Sequence, residues 1–365
     1  MPTTYGFADL QHLYNTRVLE VGPQRIYDAI RASNEEYNRV VTAMLSLFVR
    51  RTTVALEQIE LPGDGTLQPL SEHGNPLPVL PSGSYQAGYP IQGAGTAWGD
   101  DRVTRALMTV EEADRATADA QRRDVDWLRR HILAARFDNV AWTYNDKVGP
   151  NNSRGFGNIT VQPLANNDTV PYMRRGGALA TENHYLAQAA AISDAANPFP
   201  TLRAELIEHP SNSGPFVAFL ASNLVPSATA LTEFVEADDP DIRYGADNDT
   251  LAVGNRADIL GPGDEVLGKT RSSNMWLTEW SALPSDYMIV VALGADTPVL
   301  RMREYAAAEL QGLFPERADV DGNHMVTRMI RYCGFGVANR VGAAVMRIGN
   351  AAYAIPSGFD APLPV

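Results

Sequence analysis

The sequence predicts an α+β fold, on three observations. Helical and strand-like segments are interspersed along the 365 residues without the regular β-α-β alternation of a doubly wound sheet. The stretch Thr109–Asn139 is a far longer helical signal than any other in the chain. Ahead of it, Thr53–Thr104 is crowded with Pro, Gly and Ser and poor in helix formers. With 45% hydrophobic and 20% charged residues, the composition is that of ordinary globular protein able to bury a sizeable core.

Several classes of protein drop out on composition. No apolar run approaches the roughly 18 residues that a membrane span needs, and the N-terminus lacks a basic-then-apolar signal pattern. Neither membrane insertion nor export by a signal peptide is expected. The single cysteine, Cys333, excludes an intramolecular disulfide and a cysteine-based zinc cluster, and it suits a reducing compartment. A net charge of −13 argues against a basic nucleic-acid-binding domain. Much of that charge lies between Thr232 and Glu265, where ten acids face only Arg243 and Arg256. This window reads as a solvated, exposed face. Lysine occurs only at positions 147 and 269, so nearly all positive charge is arginine, which favours fixed bidentate pairs.

Residues 1–23 carry aromatics without a period and close at Gly22-Pro23, the pattern of an extended arm. From Gln24 to Arg51 the spacing of Ile26, Ile30, Val40, Val41, Met44, Leu45 and Phe48 predicts a helix. TTVALEQIEL alternates as a strand, and Pro62-Gly63-Asp64-Gly65 is a turn signal. The Pro/Gly-rich run that follows is too long for an ordinary connection. A two-stranded excursion, with contacts supplied by a neighbouring molecule, would account for it.

Thr109 and Glu112 form a capping box at the head of the long helix. Glu111–Arg115, Asp119–Arg123 and Asp126–Arg130 then stand at i,i+4 with the acid first. Some thirty helical residues make a rod of roughly 45 Å. Its first half offers only Ala113, Ala116 and Ala120 as apolar contacts; its second half carries Val125, Leu128, Ile132, Leu133, Ala135 and Phe137. The second half should anchor in a core and the first should lie on a surface or against a partner.

Beyond the rod, strands are expected at 140–144, 158–164, 216–220, 265–268, 275–277, 288–293, 327–332, 334–337 and 343–348. Helices are expected at 181–196, 200–209, 226–235 and 301–310.

No chemical signature stands out. The six histidines (His12, His73, His131, His184, His209 and His324) have no HExxH or i,i+4 pairing, so no zinc site is expected. There is no GxSxG elbow or Walker loop. Asp319, Asp321 and Asn323 resemble a calcium loop, but Gly322 falls a place early and no Glu follows at the required distance. His209-Pro210-Ser211 and Asp286 could be cast as a hydrolytic triad only by coincidence of composition. No catalytic, cofactor-binding or metal residue is assigned, and no enzyme activity or cofactor is expected.

The order of parts is informative where motifs are not. An arm, a long two-stranded loop, one long helix, an α+β body with an inserted subdomain, and a return strand resemble the major capsid proteins of tailed bacteriophages, the Hong Kong 97-type fold. The run GDEVLGKTRSSNMWLTEWSALPSDYMIVVAL (263–293), the segment 301–340 read as helix, variable loop and strand, and the closing GVANRVGAAVMRIGNAAYA (336–354) carry the resemblance at residue level.

The resemblance implies an N-terminal arm and helix at 1–52 and an extended β-hairpin loop at 53–108. It implies a peripheral domain at 109–180 with spine helix 109–139, and an axial domain at 181–320 with an acidic loop at 232–265. Residues 321–365 would return to the peripheral domain and form the C-terminal tail. Function is implied with it: pentamers and hexamers of this chain forming an icosahedral shell around phage double-stranded DNA, assembled in the bacterial cytoplasm and retained in the virion. The expected partners are other copies, a separate scaffolding protein, a portal and cement or decoration proteins; packaged DNA would be touched non-specifically, and no membrane is involved.

Relatives that crosslink use a lysine in the extended loop, and 53–108 contains none, so the shell is expected to be noncovalent. About fifty residues precede that loop, fewer than a scaffolding prodomain needs. The alternatives are an encapsulin-type nanocompartment shell and, from a different class, an intracellular hydrolase with an unrecognised site.

Overall fold

Thr109 caps the long helix as its spacing predicts. Its hydroxyl accepts from the Glu112 N–H, the Glu112 carboxylate accepts from the Thr109 N–H, and a 28-residue helix, Val110–Phe137, begins there. The computed structural model describes residues 3–45, 49–61, 70–72, 74–75, 83–98, 102–148, 150–237, 266–295, 297–319 and 325–363. The tip of the long loop, most of the acidic window from Asp238 onward and the calcium-like turn at 320–324 lie outside them.

In chain order the helices are α1 (Val18–Val21), α2 (Pro23–Leu45), α3 (Arg102–Leu107), α4 (the long helix), α5 (Phe199–Ile207) and α6 (Val225–Thr229). The first strands are β1 (Val49–Thr52), β2 (Leu56–Leu61), β3 (Gly83–Gly88), β4 (Gln92–Trp98), β5 (Trp142–Asn145) and β6 (Asn158–Val161). Next come β7 (Tyr172–Met173), β8 (Leu179–Ala180), β9 (Tyr185–Gln188), β10 (Phe216–Leu220), β11 (Phe234–Glu236) and β12 (Val266–Thr270). The last are β13 (Met275–Glu279), β14 (Tyr287–Ala292), β15 (Leu300–Glu304), β16 (Leu313–Asp319), β17 (Met325–Val337) and β18 (Ala343–Ile348).

Two sheets organise these strands. A seven-stranded sheet runs β11-β12-β13-β10-β14-β18-β9, and a five-stranded sheet runs β1-β15-β17-β16 with β4 on the other flank of β17. The central strands of the larger sheet are apolar throughout because both faces are covered. Val217, Phe219, Ile289, Val291, Ala343 and Val345 point into one core, shared with the second half of α4 and the smaller sheet. Their neighbours Phe216, Ala218, Leu220, Met288, Val290, Ala344 and Met346 point into a second core closed by Phe199, Leu202 and Leu206 of α5 and Ala228 of α6.

Several expectations are corrected. The helix expected at 24–51 does not run to Arg51: α2 spans Pro23–Leu45, and Val49–Thr52 is strand β1, paired in parallel with β15. Residues 1–23 are not extended: Tyr5–Leu13 is a 3-10 helix whose Phe7 and Leu10, three apart on one face, are buried against α2 and α4. The approach is close enough that a Cβ on Gly6 would fall 1.9 Å from the Ala29 carbonyl oxygen. Residues 181–196 are not a helix. Tyr185–Gln188 pairs in parallel with β18, and the buried Tyr185 hydroxyl hydrogen-bonds the Asp138 carbonyl beyond the end of α4. Alanine's helix propensity is a weak prior, and the edge pairing overrides it.

Residues 301–310 are likewise not one helix: the first four belong to β15, and only Ala308–Leu310 forms a 3-10 turn. Leu300 and Met302 alternate inward on β15, which pairs with both β1 and β17. The range 226–235 is helical only as far as Thr229, in α6 (Val225–Thr229), and strand β11 begins at Phe234.

The long helix is anchored along its whole length. Val110, Ala113 and Ala120 of its first half pack with Phe7, Leu10, Ile26, Ile30 and Met329, while Leu128, Ile132, Leu133 and Phe137 enter the central core. The apolar side of the first half therefore packs within its own chain, and the expected reach to a neighbour fails for that side. Glu111–Arg115 forms at i,i+4, but Asp119 and Asp126 choose Arg122 and Arg129 at i,i+3.

Midway along α4, Asp124 is buried and receives Nε and Nη2 of Arg331 from β17 at 2.6 and 2.7 Å. Tyr37 of α2 donates to the same carboxylate at 2.7 Å. Glu304 of β15 lies 3.9 Å from Arg331 and also accepts from Arg51 of β1. Replacing Asp124 with Ala strands a buried guanidinium, so urea denaturation should show a loss of about 3–5 kcal/mol. The paired replacement Asp124→Leu with Arg331→Met should lose far less; equal losses would show that the pair is not isolated by its burial.

Candidate functional site

The span 53–108 is rooted in the body. Strands β2 and β3 form an antiparallel hairpin in the register Leu56↔Gly88 to Leu61↔Gly83. Leu61, Tyr85 and Ala87 turn inward with Ala165, Tyr172, Ala338 and Val341, and the Tyr85 hydroxyl donates to the Ala338 carbonyl at 2.6 Å. Arg340 lies over the rings of Tyr85 and Tyr172 at 5.7 and 5.9 Å from their centroids. Gln58 and Ser84 hydrogen-bond across the outer face. Strand β4, still within the span, has already rejoined the body as a partner of β17.

Large apolar side chains stand in solvent along this span: Val54, Leu70, Val103 and Leu107, each at least half exposed. Tyr5 and Phe156, the latter 72% exposed, add two aromatics elsewhere. Scattered exposed apolar residues are normal on any protein. Four of them fall within this one 56-residue span, whose strands β2 and β3 also present a polar outer face. A depression of about 180 Å³ lies between β4, β17 and α4, lined by Thr96, Arg123, Asp124 and Trp127.

The fold also assembles a buried polar cluster. His184 and His209, 25 residues apart, are both almost completely buried, with Nε2 atoms 3.3 Å apart. Their Nδ1 atoms face the Ala343 and Met173 carbonyls at 2.8 and 3.1 Å. Arg174 binds both oxygens of Glu182 at 2.7 and 2.8 Å and lies 3.4 Å from Glu208 Oε2. Glu208 Oε1 is buried without a hydrogen-bond partner, 3.8 Å from His209 Nε2. Burial, then the charges of Glu182 and Glu205, raise the Glu208 carboxyl to about 7. Burial, then His209, lowers His184 to about 3, and burial also lowers His209. The fold thus brings together two Glu–His pairs, Glu182 with His184 and Glu208 with His209, each of which is local in sequence. The one trace in sequence is a Glu within two residues of each His.

The candidate triad does not assemble. The Asp286 carboxylate accepts from Asn223 at 2.7 Å, while the neighbours of His209 are His184, Met173 and Glu208. Cys333 is fully buried on β17, and burial pushes its thiol up to about 12. Among the described residues no helix is long and apolar enough to cross a membrane.

No protein-family model and no curated protein matches the chain. Solved structures do. The chain is similar to a structure titled "Mycobacterium phage Patience", with 19% identity, 94% of this chain and 91% of that chain covered, and a TM-score of 0.62. Weaker likenesses are the capsid of a native GTA particle (11% identity, 85% and 91% covered, TM-score 0.46) and the cyanophage Pam1 capsid (14%, 85% and 92%, 0.45). The first likeness shows a shared mixed helix-and-strand fold over nearly the whole chain.

A thiol so buried and so hard to ionise should not react with Ellman's reagent in the folded protein and should titrate fully in denaturant. Rapid reaction under native conditions would contradict the burial of β17.

Proposed function

We propose that this chain is the major capsid protein of a tailed bacteriophage, with the Hong Kong 97-type subdivisions implied by its order of parts. The observation that supports this most is the match to a phage structure over 94% of the chain at a TM-score of 0.62. On this reading residues 53–108 are the extended loop, α4 is the spine helix, 181–320 is the axial domain with its acidic loop, and 321–365 returns to the peripheral domain and forms the C-terminal tail. The shell encloses phage double-stranded DNA, with the subunits arranged as pentamers and hexamers, and draws on scaffolding, portal and decoration proteins.

Assembly proceeds by burial. Val54, Leu70, Val103 and Leu107 are exposed on the isolated chain and would be covered by a neighbour. Full burial of one such side chain contributes about 1.5–3 kcal/mol, and the contributions recur at every contact of a closed ring. The spine contributes its outer face, where Glu111, Arg115, Asp119 and Arg122 pair in solvent. Joints of this kind are noncovalent. The lysines at 147 and 269 both lie outside the extended loop.

Electron microscopy of the purified protein, alone and with a scaffolding protein, tests the reading. Megadalton shells are expected, running as a single band of chain mass on denaturing gels. A monodisperse species of about 40 kDa under both conditions would end the capsid reading, and a covalent ladder would end the noncovalent one. Val103→Asp with Leu107→Asp should block assembly while leaving the circular dichroism of the subunit unchanged. Native particles should contain DNA, and a protein cargo would favour a nanocompartment shell instead.

A further inference from the structure

We propose that His184, His209 and Glu208 form a binding site for a zinc-type divalent cation. The starting point is a count of protons. The two rings form a chain of contacts: Ala343 carbonyl, His184, His209, Met173 carbonyl. Three polar contacts must be filled, and both ends are carbonyl oxygens that only accept. Two neutral imidazoles supply two N–H groups, so one contact always sets lone pair against lone pair. Donation from each Nδ1 to its carbonyl satisfies both ends and leaves the two Nε2 lone pairs facing each other.

A cation between the two Nε2 atoms resolves the mismatch, and the geometry suits one. Zinc binds imidazole nitrogen at about 2.0–2.1 Å, so two nitrogens on a tetrahedral ion stand about 3.3–3.4 Å apart. The observed separation is 3.3 Å. Histidines that hold a metal typically donate the other ring N–H to a carbonyl or carboxylate, which fixes the tautomer. Both rings have a backbone carbonyl in that position.

Glu182, Glu208 and His209 present ligand atoms within 4.8 Å of one another, and Glu208 Oε1, buried without a hydrogen-bond partner and 3.8 Å from His209 Nε2, would become the third ligand by closing toward His184. The second Glu208 oxygen faces Arg174, which aims the carboxylate. Glu182, Glu205 and Glu208 together set three carboxylates against the single guanidinium of Arg174, and a dication offsets the excess. A water would complete four-coordination from the side on which Glu208 is partly exposed. The ends held together are β7, the C-terminal end of α5, and the β9–β18 edge of the large sheet, so the ion would brace that edge.

The test uses the full chain, stripped with EDTA and titrated with Zn²⁺ by calorimetry, and separately loaded with Co²⁺. One Zn²⁺ per chain, a raised melting temperature, and the strong visible absorption of tetrahedral Co²⁺ are expected. Glu208→Gln and His209→Gln should each weaken binding more than tenfold, with unchanged far-ultraviolet circular dichroism in metal-free buffer. The Co²⁺ spectrum of the unmodified chain needs no variant, so a variant that misfolds does not rescue the proposal. It is overturned if the unmodified chain gives no tetrahedral Co²⁺ spectrum, or if the variants bind Zn²⁺ as tightly as the parent. It is equally overturned if imidazole nitrogen resonances of EDTA-stripped and Zn²⁺-loaded chain alike show one ring doubly protonated at neutral pH, because a proton then fills the gap.

Discussion

The ion pair between Asp124 and Arg331 is the constraint on which the rest of the structure depends. Removing two charges from water is costly, and only close geometry with further hydrogen bonds offsets that cost. Here the carboxylate receives two guanidinium N–H groups and the Tyr37 hydroxyl, while Arg331 also faces Asn38 and Glu304. Because an imperfect pair would be strongly unfavourable, the pair fixes where α4 crosses β17 and where α2 crosses both. The apolar contacts on either side of it, from Val110 to Ala120 and from Leu128 to Phe137, then have a register to settle into.

That crossing positions the surfaces a shell would use. With α4 pinned across the smaller sheet, the chain entering it through α3 and the hairpin of β2 and β3 lies against the body on one side only. Tyr85, Ala87 and Leu61 hold the hairpin root, and Val103 and Leu107 are left in solvent. Rigid anchoring of this kind would matter for the proposed assembly. A loop already held in place loses less conformational freedom when it meets a neighbour, so modest buried area suffices at each contact. Buried arginine recurs as the fastener: Arg303 with Asp146 and Arg340 with Asp168 tie the turns beyond β5 and β6 to the sheets. With 28 arginines to two lysines, the composition already favours such bidentate joints.

Legibility in the sequence followed how local the deciding physics was. The capping box at Thr109, the continuous apolar strands β10 and β14, and β18 are set by residues adjacent in the chain, and their bounds were readable. The segments 181–196 and 301–310 were misread as helices because the partner that makes each a strand, β18 in one case and β1 with β17 in the other, lies far away in sequence. In 301–310 the period-2 alternation of Leu300 and Met302 was a usable signal, masked by the helix formers that follow. The histidine cluster was invisible for the same reason: a spacing of 25 residues between His184 and His209 carries no motif.

The sequence by itself determined an α+β protein with one dominant helix, an arginine-based charge economy, a hairpin-bearing excursion before that helix, and an order of parts resembling a phage shell protein. Tertiary structure alone decided that the first half of α4 packs on its own N-terminal segment, that Asp124 meets Arg331 across 207 residues, and that the Nε2 atoms of two histidines stand 3.3 Å apart. The division is physical. Caps, turns and alternation act over a few residues, whereas burial of a charge or a ring is set by whichever distant element supplies its partner.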